Sequence, residues 1–284
     1  MSEPTMPSAA DRPVAIVTGA ARGIGRTIAM RLAREGYRVA VCDRDMAGYE
    51  QFRVEREATA GLTPRQSLEQ AGAEVLDAQV DLTDVDQVLD FVNSVHDAWG
   101  RIDLLVCNAG GSAGDIAYVR ASAFDLADPA TQQYLLSSTA DNYYSVVYSV
   151  LATLPHMIAA GSGSVVFISS TAGNRPSATG EMAFYGGGKA AAQMYLRTVA
   201  QDVAPHGIRV NSIAPGFIAT GRALDRLERL HGENAPNEIA AQIPVRRWGR
   251  AEDIAEAVVY LGSSASGFVT GQTLAVDGGD LRHS

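Results

Sequence analysis

The sequence predicts an α/β protein built on one doubly wound parallel sheet of about seven strands. Three observations carry this prediction. Short β-branched runs alternate with helix-length segments along the chain. Several of those runs are apolar at nearly every position, as strands buried on both faces of a parallel sheet must be. The chain has 284 residues and 46% hydrophobic composition, which is too apolar for disorder and enough for one large domain.

The strands are expected at Val14–Val17, Arg38–Cys42, Glu74–Val80, Ile102–Cys107, Ser164–Ile168, Ile208–Ile213 and Thr273–Val276. Helices are expected at Gly25–Glu35, Val85–Trp99, Thr139–Ala159, Ala183–Ala204 and Ala251–Leu261. With no repeat and no low-complexity linker, residues 13–284 read as a single domain behind a disordered tail over 1–12. Two polar stretches stand out, an insertion over 45–72 and a charged amphipathic segment over 222–242 that contains Pro236. Both read first as solvated surface.

Composition excludes several functions. A formal net charge of −9 makes nucleic acid and anionic membrane surfaces poor partners. The longest apolar stretch, Val146–Ala160, is interrupted by Pro155 and His156, so no membrane span is expected. The N-terminus lacks the basic start and apolar core of a signal peptide. Two cysteines, Cys42 and Cys107, form no disulfide framework, which points to a reducing, cytoplasmic setting. The histidines show no metal-binding spacing, so no metal is expected. Of 23 basic residues only Lys189 is lysine. Arginine and lysine differ in shape and pKa, so the one position that keeps lysine is informative.

After the first strand, Thr18-Gly19-Ala20-Ala21-Arg22-Gly23-Ile24-Gly25 opens into a helix. Glycine permits the tight turn, and a missing Cβ lets backbone N–H groups approach a pyrophosphate. The helix N-terminus adds donors and a favourable dipole. The second strand ends at Asp43, where a carboxylate can accept hydrogen bonds from adenosine ribose hydroxyls and repels a 2′-phosphate. NAD is therefore expected over NADP, although Arg22 and Arg44 could each contact a phosphate. Farther on, Tyr185 and Lys189 stand four residues apart, on one helix face. A phenol pKa near ~10 is too high for a base at neutral pH, and a neighbouring ammonium lowers it. The three glycines between them cost a helix roughly 2–3 kcal/mol relative to alanine, so a backbone or a ligand should pack closely there.

The set as a whole resembles the short-chain dehydrogenase/reductase family, from about Val14 to Gly279. The pieces are TGAARGIG (18–25), Asp81-Leu82-Thr83, Asn108-Ala109-Gly110, Phe167-Ile168-Ser169-Ser170, YGGGK (185–189), RVNSIAPGFIAT (209–220) and VDGG (276–279). The resemblance implies a Rossmann-type fold and assigns roles. Tyr185 would be the general acid/base, Lys189 would bind the nicotinamide ribose and lower the Tyr185 pKa, and Ser170 would hydrogen-bond the substrate oxygen. Ser170 is preferred to Ser169 because Thr171-Ala172-Gly173 follows it. Asn142 would hold a water in a proton relay to Lys189. Gly19, Arg22, Gly23, Ile24, Gly25, Asp43 and Arg44 would line the adenosine and phosphates. Asp81 would meet the adenine amino group beside Leu82. Asn108, Ala109 and Gly110 would line the cofactor near its ribose, and Pro215, Gly216, Ile218 and Thr220 would shape the nicotinamide pocket. The pattern departs at Cys107, where the family often has Asn.

The implied reaction interconverts a secondary alcohol and a ketone with NAD. Substrate walls are expected from Gly111–Ala113 (with Ser112), from Thr171–Phe184 (with Ala172, Met182 and Phe184), from Phe217, and from a lid over 217–243. Arg175 could pair with a substrate carboxylate or lie solvated. The 45–72 insertion could fold over the adenosine. A homotetramer, or else a homodimer, is expected. The competing functions are an NADPH-dependent ketone or 3-ketoacyl reductase and a non-catalytic nucleotide-sensing regulator. Regulators of that kind can lose the Ser, Tyr or Lys, and all three are present here.

Overall fold

The computed structural model describes residues 12–112, 119–177, 179–232 and 234–280. The tail expected over 1–12, except Arg12, lies outside them, as does Ala113 of the expected substrate wall. Seven strands form one sheet: β1 (Val14–Thr18), β2 (Arg38–Asp43), β3 (Val75–Gln79), β4 (Leu104–Cys107), β5 (Gly163–Ile168), β6 (Ile208–Pro215) and β7 (Thr273–Val276). Their spatial order is β3-β2-β1-β4-β5-β6-β7, and every pairing is parallel. The order reverses between β1 and β4, which pair with Val17 opposite Val106. That switch point opens a crevice at the carboxyl ends of the strands, where open α/β sheets bind ligands.

Alternate residues of each strand feed two cores. Val14 and Ile16 of β1 face one cluster, with Val88, Val92 and Val95 of α4 (Val85–Trp99). Ala15 and Val17 face the other, with Ile28 and Leu32 of α1 (Gly23–Arg34) and Ile254 and Val258 of α10 (Ala251–Gly262). Burial on both faces explains why these strands read as continuous apolar runs.

The 45–72 stretch, expected as solvated surface, holds two short helices, α2 (Arg53–Ala58) and α3 (Pro64–Gln70). Thr63 starts α3 with a capping box to Gln66. The helix expected from Thr139 begins earlier, as α5 (Pro129–Thr139), where Asp128 accepts the N–H groups of Ala130 and Thr131. It passes through a π-helical turn (Ala140–Tyr144) into α6 (Ser145–Ala160). Pro155 lies inside α6 and does not end it. Pro155 and Leu151, whose carbonyl loses its i+4 donor, are both exposed, so water can take that carbonyl. On the buried side of α6, Ser149 and Thr153 donate to the carbonyls of Ser145 and Ser149. No helix among the described residues is long and apolar enough to cross a membrane.

Candidate active site

A cleft of about 1500 Å³ opens over the switch point. It exceeds what a single drug-sized ligand needs, so a large cofactor and a substrate can share it.

The floor is built from strand ends and the loops that follow them. Gly19 has φ +65°, and a Cβ there would lie 2.7 Å from Ala109 Cα. A Cβ on Gly25 would run into the Gly19 carbonyl. The loop after β1 thus touches the loop after β4, and hydrogen bonds join them. Asn108 Nδ2 donates to the carbonyls of Gly19 (2.9 Å) and Thr18 (3.0 Å). Thr18 Oγ1 accepts the N–H groups of Asn108 and Ala109. Arg22, at the N-cap of α1, makes no side-chain cap, so the first-turn N–H groups remain available beside the cleft-lining Gly23, Ile24 and Gly25. Asp43 ends β2, and its carboxylate accepts the N–H groups of Ala21 (3.1 Å) and Asp45 (3.2 Å). Asp81 Oδ1 accepts both the N–H and the hydroxyl of Thr83. Asp81 and Leu82 line the cleft, as do Ala109, Gly110, Gly111 and Ser112.

β5 delivers the two serines to different places. Ser169 is buried, and its Oγ accepts Gln193 Nε2 at 2.6 Å. Ser170 is less buried, its Oγ accepting the Ala172 N–H at 3.1 Å. Both serines border the cleft, and the Ser169 hydroxyl is the one committed to another side chain. Tyr185 and Lys189 lie one turn apart on α7 (Ala183–Val203), which starts at Met182 with φ +60°. Lys189 is buried, donates from Nζ to the Ile168 carbonyl at 3.0 Å and sits 5.8 Å from the Tyr185 ring centroid. Burial first, and the charge of Arg222 second, pull its pKa down to about 7.

Two of the three α7 glycines answer to close contacts. A Cβ on Gly186 would lie 2.6 Å from the Ala172 carbonyl, and one on Gly188 would lie 3.1 Å from Asn142 Cβ. Gly187 meets nothing within 4 Å. Asn142 is fully buried in the π-helical turn. Its Nδ2 donates to the carbonyls of Gly111 (3.1 Å) and Ser138 (2.9 Å), and its Oδ1 accepts the Gly111 N–H (2.9 Å). Both amide donors are thus committed, so the carboxamide braces the Gly110–Gly111 turn, and a water held by Asn142 would have to meet its backbone carbonyl. A Cβ on Gly110 would lie 2.8 Å from the Asp141 carbonyl and 3.4 Å from Lys189 Nζ.

The opposite wall follows β6. Pro215, Gly216, Phe217, Ile218 and Thr220 line the cleft. Phe217 packs edge-on against Trp248, with centroids 5.4 Å apart. Ile218 bridges to Gly249. Thr220 Oγ1 caps α8 (Gly221–His231) by accepting the Ala223 N–H. α8 and α9 (Ala235–Gln242) occupy the stretch expected as a lid, Ala223, Leu227 and Ile239 line the cleft, and Pro236 sits harmlessly in the first turn of α9. Ala172 and Met182 line the cavity. Phe184 is not among the lining residues: its ring stacks edge-on against Phe124 and Tyr134, because an aromatic cluster under α5 offers it a drier site.

Three charged residues escaped the sequence reading. Glu55 of α2 is buried beside Arg22, 3.7 Å away, and the Gly221 backbone also acts on its carboxylate. Burial pushes its pKa up, and Arg22 pulls it back. Arg226 donates to Ser112 Oγ at 2.7 Å. Arg222 lies over Gly111, where a Cβ would be 2.6 Å from its Nη2. The 45–72 insertion therefore reaches the glycine loop and the lid base, not only the adenosine end. Only the placement of Arg222 two residues after Thr220 could have signalled any of this. Arg175, open between two readings, is held by Asp280 through its carbonyl and carboxylate. Arg44 pairs with Asp141 at 3.4 Å.

A family model described as "Enoyl-(Acyl carrier protein) reductase" matches residues 19–280. The chain is 37% identical over 268 residues to a cyclohexanol dehydrogenase of Rhodococcus sp. (strain TK6), covering 94% of this chain and 95% of that protein. It is 32% identical to a 3-oxoacyl-[acyl-carrier-protein] reductase of Staphylococcus aureus (strain Mu50 / ATCC 700699), covering 93% and 96% of the two chains. The crystal structure of an NAD+-bound xylitol dehydrogenase superposes with a TM-score of 0.80 at 27% identity, covering 93% and 97%. The chain belongs to the short-chain dehydrogenases/reductases, oxidoreductases that act on CH–OH donors with a nicotinamide cofactor.

Proposed function

We infer that the protein interconverts a secondary alcohol and a ketone, with NAD as its cofactor. The burial of its only lysine under Tyr185, with Ser170 on the same cavity wall, is the observation that carries this reading.

The residues present suit a dinucleotide. The uncapped start of α1 suits a pyrophosphate, and the carboxylate of Asp43 suits ribose hydroxyls. The two arginines that could take a 2′-phosphate already face carboxylates, Arg22 against Glu55 and Arg44 against Asp141. This supports NAD over NADP. Asp81, Leu82, Asn108, Ala109 and Gly110 would hold the adenosine and ribose side, and Pro215, Gly216, Ile218 and Thr220 the nicotinamide side.

When bound, the nicotinamide supplies the hydride acceptor or donor. In oxidation Tyr185 Oη takes the hydroxyl proton, and Ser170 Oγ hydrogen-bonds the oxygen as it becomes a carbonyl. Lys189, with a pKa near neutrality, can take up or return a proton at Nζ beside Tyr185. Asn142 acts as a positioning residue by fixing the Gly111 backbone. Reduction runs these steps in reverse. Acid–base assistance of this kind contributes about 10²–10⁴-fold. Gly111, Ser112, Ala172, Met182 and Phe217 would contact the substrate.

Two further points belong to this reading. Exposed Leu136, Tyr144, Leu151 and Met194 on α5, the π-helical turn, α6 and α7 support assembly into a tetramer or dimer through that face. The free, buried Cys42 and Cys107 suit a reducing, cytoplasmic setting. The family description and the S. aureus relative favour a second reading, reduction of an acyl-chain ketone with NADPH.

A panel of secondary alcohols with NAD and with NADP, followed by absorbance of the reduced cofactor, decides between them. The expected result is turnover with a kcat/KM preference for NAD. Preference for NADP with acyl substrates would replace this reading by the second. Tyr185→Phe should remove turnover and leave NAD affinity within a few-fold.

A further inference from the structure

Five arginines line the cleft. Three face carboxylates: Arg22 meets Glu55, Arg44 meets Asp141 and Arg175 meets Asp280. Arg226 is hydrogen-bonded to Ser112. Arg222 differs. Among the described residues it has no hydrogen bond, and no carboxylate oxygen lies within ion-pairing distance. Arg222 is nevertheless half-buried, its guanidinium against Gly111, and burial pulls its pKa down. Glu55 acts on it only from beyond ion-pairing distance. A shielded cation that no group hydrogen-bonds is costly, and an oxyanion brought alongside it lowers that cost.

Its position indicates which oxyanion. Arg222 lies over Gly111, one residue from Ser112 and just beyond the Asn108–Gly110 turn. Its charge is felt by both Lys189 and Tyr185, so it stands near the reacting centre. The start of α1 and Arg22, with Glu55 beside it, already serve the phosphate corner, and both of those charges are felt at Arg222. A planar guanidinium matches a carboxylate bidentately, which an ammonium does not.

We propose that Arg222 is the carboxylate receptor of the substrate pocket and that the preferred substrates are secondary alcohols or ketones bearing a carboxylate. This rests on the oxidoreductase reading above for the word substrate, but not for the binding itself. The lid then has a function in specificity: α8 carries the receptor from the cleft edge to the substrate, and the Ser112 contact of Arg226 holds α8 in place.

The test is calorimetric titration of cyclohexanecarboxylate and of its neutral isostere cyclohexanecarboxamide into protein saturated with NADH. Charge-assisted hydrogen bonds predict that the carboxylate binds roughly 10–100-fold more tightly. Arg222→Leu should erase that preference, with NADH affinity kept. Arg222→Lys should keep part of it, because the charge remains and the fork does not. Equal binding of the two probes, no measurable binding of the carboxylate, or a preference that survives in Arg222→Leu overturns the proposal. So does a loss of NADH affinity in Arg222→Leu as large as the loss for the carboxylate, which would assign Arg222 to the cofactor phosphates. Turnover of 3-hydroxycyclohexanecarboxylate against cyclohexanol separates the two levels. Oxidation of both alcohols without preference sinks the receptor and leaves the enzyme. Arg222-dependent carboxylate binding with neither alcohol oxidised sinks the alcohol reading and leaves the receptor.

Discussion

The floor of the cleft and the strap above it are built by different means. In the floor, side chains are fixed to the backbone. Asn108 holds the glycine loop, Asn142 holds Gly111, and Lys189 holds the Ile168 carbonyl. In the strap, α2 meets the lid base through side chains. Phe52 stacks on Arg22 at 4.7 Å, Glu55 pairs with Arg22 at 3.7 Å, and both crowd Gly221, whose Cβ would lie 2.9 Å from each. Backbone-anchored groups keep their geometry whatever the substrate, which suits chemistry. Side-chain pairs can re-form around a ligand, which suits selection. The floor should therefore respond to mutation in rate and stability, and the strap in affinity ratios.

Tyr185→Phe tests the floor most severely, with the loss of about 10²–10⁴-fold in kcat expected for an absent acid/base. Residual activity near the wild-type level would remove Tyr185 from the reaction.

Lys189 offers the next test, in stability. Its pKa is about 7 in the folded protein against an ordinary lysine value of 10.5. Between those values the unfolded chain holds a proton that the folded chain has released. The contribution is therefore fully present above about 10.5, and it is lost as pH falls towards 7. The free wild-type protein should gain Tm relative to Lys189→Met as pH is raised from 7 to 10. Parallel Tm curves for the two proteins would show that Lys189 titrates normally.

The glycines sharpen the comparison within one helix. Gly186→Ala drives a methyl into the Ala172 carbonyl and should cost about 1–3 kcal/mol of stability, as overpacking does. Gly187→Ala meets nothing and should stabilise α7 by up to about 1 kcal/mol. Equal denaturation midpoints for the two variants would contradict the packing described here.

The smallest effect belongs to the strap. Glu55→Gln removes the carboxylate beside Arg22 and should shift the NADP-to-NAD affinity ratio about 2–5-fold towards NADP, the scale of a partly exposed ion pair. An unchanged ratio would mean that Glu55 does not restrain Arg22.

How much was legible follows the same division. The glycine loop, Asp43 at the end of β2, and Tyr185 with Lys189 on one helix turn all rest on short stretches of backbone. Local spacing carries that information. Ser169 and Ser170 differ because successive side chains point to opposite sides, and the Ser169 hydroxyl turns inward to Gln193. What escaped depends on distant encounters. Nothing near Glu55 announces Arg22 or Gly221, and Phe184 turns away from the cleft only because Phe124 and Tyr134 are there to receive it. The π-helical turn escaped too, since it serves to aim Asn142 at Gly111, a partner on another strand end.

The sequence by itself determined a parallel sheet, a glycine-lined crevice and a lone lysine one turn from a tyrosine. Periodicity and conformational preference are properties of neighbouring residues, and they need no third dimension. Only the tertiary structure decided which charges meet: that Arg22, Arg44 and Arg175 each find a carboxylate, and that Arg222 among the described residues does not. Ion pairing depends on distance through space and on exclusion of water, and neither is written in the order of the chain.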